Sequence, residues 1–224
     1  MPAKQRLKVA LVNNSLQGAP LRRLARIQMI LGSFPADVET FQFQSLPIDR
    51  LLGQDFDCLV LAGSELNVSE GAAEKMADEV RLIRETRLPT LAICYGHQLV
   101  LHAFGARVLR NERSGEYNSP DGRDIRIKID MDPEGLIGTI RPQVNVSHKD
   151  YVPPDDPVFK DIFELRAISI DGKKQNSQYA KHRHRPIYTL QFHPECSDGA
   201  APEAKETGGR VLFNFLKLAP MLKG

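Results

Sequence analysis

Three short runs of the chain, "LKVALVNN" (Leu7 to Asn14), "CLVLAG" (Cys58 to Gly63) and "TLAIC" (Thr90 to Cys94), are apolar almost without interruption. A strand with one wet face alternates polar and apolar residues, so a run with no polar face must be covered on both sides. The stretches between these runs have helical spacing instead. In "PLRRLARIQMILGS", Leu21, Leu24, Ile27 and Leu31 recur every three or four residues, and Gly32 is a stop. In "GAAEKMADEVRLIRETRLP", Met76, Val80 and Ile83 share a face and Pro89 ends the run. "VETFQFQSL" reads as a further strand and "HQLVLHAFG" as a helix directly after Cys94. Strands alternating with helices predict right-handed crossovers, hence a parallel sheet with helices on both faces.

The second half changes character. "DIRIKID", "VNVSHKDYV", "LRAISIDG" and "IYTLQFHPE" are strand-like with short connections, and "GGRVLFNFLKLA" closes the chain as a helix. The expected fold is therefore α/β: a mostly parallel central sheet flanked by helices, with a small antiparallel extension. "YVPPDDPVF" is a loop of ordinary length, and no repeat or linker divides the chain, so one domain is expected over residues 1–224. With 42% hydrophobic residues the chain can bury a substantial core. A formal net charge of +2 gives no reason to expect a nucleic-acid or anionic-membrane partner. No apolar run reaches the ~18 residues of a membrane span, and "MPAKQRLKVALVNN" lacks the pattern of a signal peptide. Cys58, Cys94 and Cys196 are too few for a disulfide framework, and a cytoplasmic setting is expected.

Cys94 sits where a buried strand turns at once into a helix. So sharp a joint needs small residues two before and two after the turning point, and Ala92 and Gly96 occupy those places. The N-terminus of the following helix favours a thiolate, and the Tyr95 N–H points where an oxyanion would form. The plainer reading is a small buried hydrophobe ending a strand. A reactive cysteine needs a base, and that base needs a third group to orient it. "LQFHPE" supplies both: His193 at a strand end, and Glu195 able to turn back across Pro194. His97 and His102 on the helix after Cys94 are weaker candidates, and His182 and His184 in "AKHRHRP" read as a solvated basic turn.

Together, Ala92-Ile93-Cys94-Tyr95-Gly96-His97-Gln98 and His193-Pro194-Glu195 resemble the G-x-C-x-G-x-Q and H-P-E motifs of the class I (triad-type) glutamine amidotransferases. Within that family, "VNVSHKDYV" is similar to the S-H-G-D segment of the glutaminase part of GMP synthetase, with Lys149 in place of the glycine. The resemblance implies a flavodoxin-like architecture and hydrolysis of L-glutamine to glutamate and ammonia. Cys94 is then the nucleophile, forming a γ-glutamyl thioester, His193 the acid and base, and Glu195 its orienter. Gln98 and His148 are implied as substrate contacts, and the Tyr95 N–H with the Gly63–Ser64 loop as the oxyanion hole.

The chain departs from the family pattern in that loop. A Gly-Gly-Pro or Asn-Gly-Pro sequence is usual there, and this chain reads Gly63-Ser64-Glu65. Serine cannot freely take the positive φ that a flipping peptide needs. The sequence carries no P-loop to activate an ammonia acceptor, so a separate ATP-dependent synthase subunit is the expected partner. No cofactor is implied, and no histidine or cysteine pairs fall at zinc spacing. Two alternatives stay open: a stand-alone hydrolase of γ-glutamyl peptides or conjugates using the same three residues, and a non-catalytic regulatory subunit.

Overall fold

The computed structural model describes residues 6–17, 21–53, 55–110, 122–169 and 175–223. Eleven strands lie among them: β1 (Leu7–Asn13), β2 (Ala36–Gln42), β3 (Cys58–Leu61), β4 (Thr90–Ile93), β5 (Leu109–Arg110), β6 (Arg123–Ile129), β7 (Gln143–Val146), β8 (Asp150–Tyr151), β9 (Phe163–Ser169), β10 (Ser177–His182) and β11 (Ile187–Leu190). Nine of them form one sheet in the order β2-β1-β3-β4-β11-β10-β9-β6-β7, and β5 pairs with β8 separately. The first five run parallel, in the doubly wound order whose ligands collect at the carboxyl ends of the strands. From β11 onward every pair is antiparallel.

Alternate residues of the apolar strands enter two different cores, as a period of two requires. Val9 and Leu11 of β1 pack with Leu24, Ile27 and Leu31 of α1 (Arg22–Gly32) and with Val211, Leu212 and Phe215 of the last helix. Ala10 and Val12 face the opposite core, built on Leu82 and Ile83 of α3 (Ala77–Glu85) and Leu99 and Val100 of α4 (Tyr95–Ala103). The short α2 (Ile48–Leu52) and α5 (Val158–Asp161) lie on that second side, and α6 (Pro202–Leu222) closes the first.

Most of the expected elements are present, with local differences; the expected strand "VNVSHKDYV" is broken at residues 147–149 and divided between β7 and β8, which lie in separate sheets. Residues 72–76 form a tight 3₁₀ turn, and α3 begins only at Ala77. The last helix starts at Pro202, before the glycine pair. β10 has no clear sequence signature because its buried residues include Ser177 and Gln178. The expectation of a solvated "AKHRHRP" turn is corrected at His182. It is buried at the end of β10, edge-on to Phe104 and Phe163, and its Nδ1 accepts the backbone N–H groups of His184 and Arg185. Arg185 then donates to the carbonyls of Ile83, Arg84 and Thr86, satisfying the C-terminal end of α3. Pro20 and residues 170–172 of two expected elements lie outside the described residues.

Two features of this packing generate tests. A Cβ on Gly208 would come within 1.9 Å of the Pro194 carbonyl oxygen, whereas one on Gly209 would meet nothing within 4 Å. Gly208→Ala should therefore cost about 3 kcal/mol, the upper end for overpacking, and disturb residues 193–195. Gly209→Ala should be neutral or gain up to about 1 kcal/mol of helix propensity. Denaturant titration of the two variants compares them directly.

The second feature is Glu79 of α3, which is fully buried; neither carboxyl oxygen has a hydrogen-bond partner, and neither has Oδ1 of nearby Asn14. Burial pushes its pKa up to about 8, against the pull of the Asn14 side chain. The unfolded chain ionises this group near its ordinary 4.5, so its stabilising contribution is whole below that pH and is lost as pH rises through about 8. Glu79→Gln should melt like the wild type near pH 4.5 and on the order of 10 °C higher above pH 8, a difference read by thermal melts across that range.

Candidate active site

The joint between β4 and α4 is strained in the manner its sequence predicts. Cys94 has φ 51° and ψ −100°, and among the described non-glycine residues only Cys196 shares a positive φ. A β-carbon on Gly96 would lie 2.8 Å from the Leu61 carbonyl oxygen, so only glycine lets α4 leave the strand this close to β3. Ala92 is fully buried beside Leu61 and Thr189 in the sheet. The Tyr95 side chain turns away, its hydroxyl donating to Met76 Sδ at 2.8 Å. Its backbone N–H belongs to the first turn of α4, where N–H groups have no partner within the helix.

The segment after β11 brings the second group to the cysteine. His193 N–H donates to the Asn145 carbonyl at 2.7 Å, and Cys196 N–H donates back to the His193 carbonyl at 3.1 Å. This turn across Pro194 returns Glu195 to the imidazole, with Nδ1 and Oε1 2.6 Å apart and both side chains buried. Nε2 of His193 and Sγ of Cys94 converge on the Ser147 carbonyl, at 3.3 and 3.6 Å. Burial and the Arg23 charge work against a charged imidazole, but the Cys94 and Glu195 charges outweigh them and raise the His193 pKa to about 9. Burial likewise opposes the Glu195 carboxylate, yet His193 and Arg23 hold it below its ordinary value. An imidazolium that donates from both nitrogens fits this setting.

A cavity of about 630 Å³ opens over these groups. It collects Ser15 beyond β1, Gly63 beyond β3, Cys94 beyond β4 and His193 beyond β11, the carboxyl ends of four parallel strands. A Cβ on Gly63 would stand 3.2 Å from His193 Cε1, so glycine keeps this loop against the imidazole. Ser64 needs no positive φ. Its hydroxyl donates to the Asn14 carbonyl at 2.5 Å and accepts the Leu66 N–H at 3.0 Å, tying the loop to the end of β1. Gln98 lines the cavity and donates from Nε2 to the Asp150 carbonyl and to Gln191 Oε1, at 2.8 and 3.2 Å. His148 also lines it, with Nδ1 2.8 Å from the Asp150 carbonyl, and Ser69 holds the Asp150 carboxylate.

The weaker histidine candidates lie apart from this arrangement. His97 is buried with Nε2 3.2 Å from Ser177 Oγ, and burial pushes its pKa down to about 3, so it is a neutral part of the scaffold. His102 is exposed on α4. Cys58 and Cys196 are unpaired and buried, and burial raises both thiols to about 12. Among the described residues, no three His, Cys, Asp or Glu side chains gather as a metal site. Sequence reasoning missed two neighbours. Ser147 acts through its carbonyl, which has no side-chain signature. Arg23, 3.7 Å from Glu195 Oε1, reads in sequence as an ordinary helix-surface residue.

Comparisons with known proteins give the family of the chain. The model of the "Glutamine amidotransferase class-I" family matches residues 23–218. The A subunit of a glutamine-hydrolyzing GMP synthase from Saccharolobus solfataricus is 31% identical, over 81% of this chain and 85% of its own length. The protein of the same description from Methanothermobacter thermautotrophicus is 29% identical, over 75% of this chain and 78% of its own. Among solved structures, a candidate A subunit of GMP synthase from Thermoplasma acidophilum superposes with a TM-score of 0.74 at 26% identity, covering 98% of this chain and 96% of that one. A Thermotoga maritima glutamine amidotransferase shares the fold, with a TM-score of 0.69 at 16% identity and 97% and 99% coverage. The chain belongs to the class I glutamine amidotransferase family.

Proposed function

We propose that the chain hydrolyses the side-chain amide of L-glutamine and that the ammonia passes to a separate ATP-dependent synthase subunit in the cytoplasm, as in a GMP synthetase. The observation that carries this reading is the strained Cys94 beside a His193–Glu195 pair, within one cavity. Cys94 Sγ bonds to the amide carbon, and the charge that develops on oxygen meets the N–H of Tyr95 and of the Gly63–Ser64 loop. The carbon–nitrogen bond breaks as His193 gives its proton to the departing ammonia, leaving a γ-glutamyl thioester. His193 then takes a proton from water, water oxygen replaces sulfur, and glutamate leaves. Glu195 holds the imidazole in orientation and stabilises its charged form. Gln98 and His148 contact the glutamyl part of the substrate. The likeness to glutamine-hydrolyzing GMP synthases supports the synthase coupling.

A second reading, hydrolysis of γ-glutamyl peptides or conjugates, is favoured by the size of the cavity, which free glutamine only partly fills. The same three residues serve it, with an amine leaving in place of ammonia.

Two experiments test the proposal. Glutamine turnover by wild type and Cys94→Ala is measured with and without a purified synthase; the wild type should accelerate on adding the synthase and Cys94→Ala should stay inert in both. Full activity in Cys94→Ala overturns the mechanism, and a wild-type rate indifferent to every synthase overturns the coupling. Glu195→Gln removes a charge that raises the His193 pKa, so the alkaline fall of kcat/KM, set near pH 9 in the wild type, should move to lower pH. The maximal rate should drop about 10²–10⁴-fold, as a pH–rate profile of the variant would show.

A further inference from the structure

The loop after β3 is hung from one residue. Asn14 directly follows β1, which is held between β2 and β3, and it is fully buried. Its Nδ2 donates to the Ala62 carbonyl at 2.9 Å, and its backbone carbonyl accepts the Ser64 hydroxyl at 2.5 Å. The Ser64 oxygen in turn accepts the Leu66 N–H at 3.0 Å. The Gly63–Ser64 peptide therefore lies between two anchors, and both are on Asn14. A peptide unit is planar and turns only about the torsions on either side, so fixing its flanks fixes where its N–H points. This peptide borders the reacting sulfur: a Cβ on Gly63 would stand 3.5 Å from Cys94 Cβ. Stability alone does not account for the amide. Its Oδ1 is shielded from solvent without a hydrogen-bond partner, which is a cost.

We propose that Asn14 is a positioning residue that aims the N–H groups of the Gly63–Ser64 loop at the oxyanion formed beside Cys94. The proposal rests on the glutamine-hydrolase reading above and deepens it, naming what holds a Gly-Ser-Glu loop that lacks the proline of the family pattern. Asn14 does not line the cavity, so it acts only through the loop. The charge on oxygen exists in the transition state and not in bound glutamine, so a misaimed donor lowers kcat and leaves KM nearly alone.

The test compares two reactions of Cys94 in wild type, Asn14→Leu, Ser64→Ala and Ser64→Thr. Glutamine hydrolysis needs an oxyanion hole, whereas alkylation by iodoacetamide is a direct displacement at carbon and forms no oxyanion. Asn14→Leu, nearly the same size but without the donor, should lower kcat for glutamine about 10- to 100-fold, part of the 10²–10³-fold that loss of a whole oxyanion donor costs. KM and the rate of Cys94 alkylation should stay within about twofold of wild type on the same argument. Ser64→Ala, which cuts the second anchor, should lower kcat about 10-fold, and Ser64→Thr, which keeps the hydroxyl, should recover most of it. An unchanged kcat in Asn14→Leu overturns the proposal, and so does a fall in alkylation that matches the fall in kcat, since Asn14 then merely supports the turn at Cys94. If Asn14→Leu does not fold, the Ser64 pair decides: a Ser64→Ala rate equal to wild type overturns the proposal. If wild type does not hydrolyse glutamine, the hydrolase reading fails instead. Amide hydrogen exchange at Leu66, whose N–H is bonded to the Ser64 hydroxyl, then tests the anchor separately. Exchange at least 10-fold faster in Asn14→Leu supports it, and unaltered protection overturns it.

Discussion

The close approach of α4 to β3 governs the rest of the site. Cys94 reaches the cavity because the chain reverses from strand to helix within one residue, at φ 51°. That reversal is possible only while Gly96 lets the helix lie against the Leu61 carbonyl, where a Cβ would stand at 2.8 Å. The cost of the strained backbone is borne by a sheet buried on both faces, in which β4 is held between β3 and β11. A strand free to shift would relax the turn and withdraw the sulfur.

The same sheet order explains why the remaining groups arrive together. β1, β3, β4 and β11 are parallel, so the loops that follow them emerge on one side. Ser64 ties two of those loops together through the Asn14 carbonyl, and the His193 N–H ties a third to the end of β7. Charge then does what geometry prepares: two buried ionisable side chains are tolerable because each keeps the other in its charged form.

Much of this is legible in the sequence because the relevant signals are local. Unbroken apolar runs mark two-sided burial, and Ala92 and Gly96 around Cys94 mark a tight turn. The two-residue spacing from His193 to Glu195 suits a turn across Pro194. What is not legible depends on long-range packing. β10 hides behind polar residues that become buried, and His182 reads as solvent-exposed until Phe104 and Phe163 surround it. The Ser147 carbonyl has no signature at all, since backbone acceptors look alike in every residue. Ser64 stands where glycine is usual, and the sequence raises a question of backbone conformation there; a φ outside the positive region and a paired hydroxyl show how serine is accommodated at rest.

The seat of Gly208 against the Pro194 carbonyl has a consequence for biosynthesis. The helix that braces the His193–Glu195 turn follows every strand of the sheet in chain order, and Cys94 precedes most of the antiparallel half. A ribosome therefore delivers the sulfur long before His193 and the brace behind it. The nascent protein carries Cys94 through much of its synthesis without the imidazole beside it, and the arrangement is complete only once α6 has been made and docked.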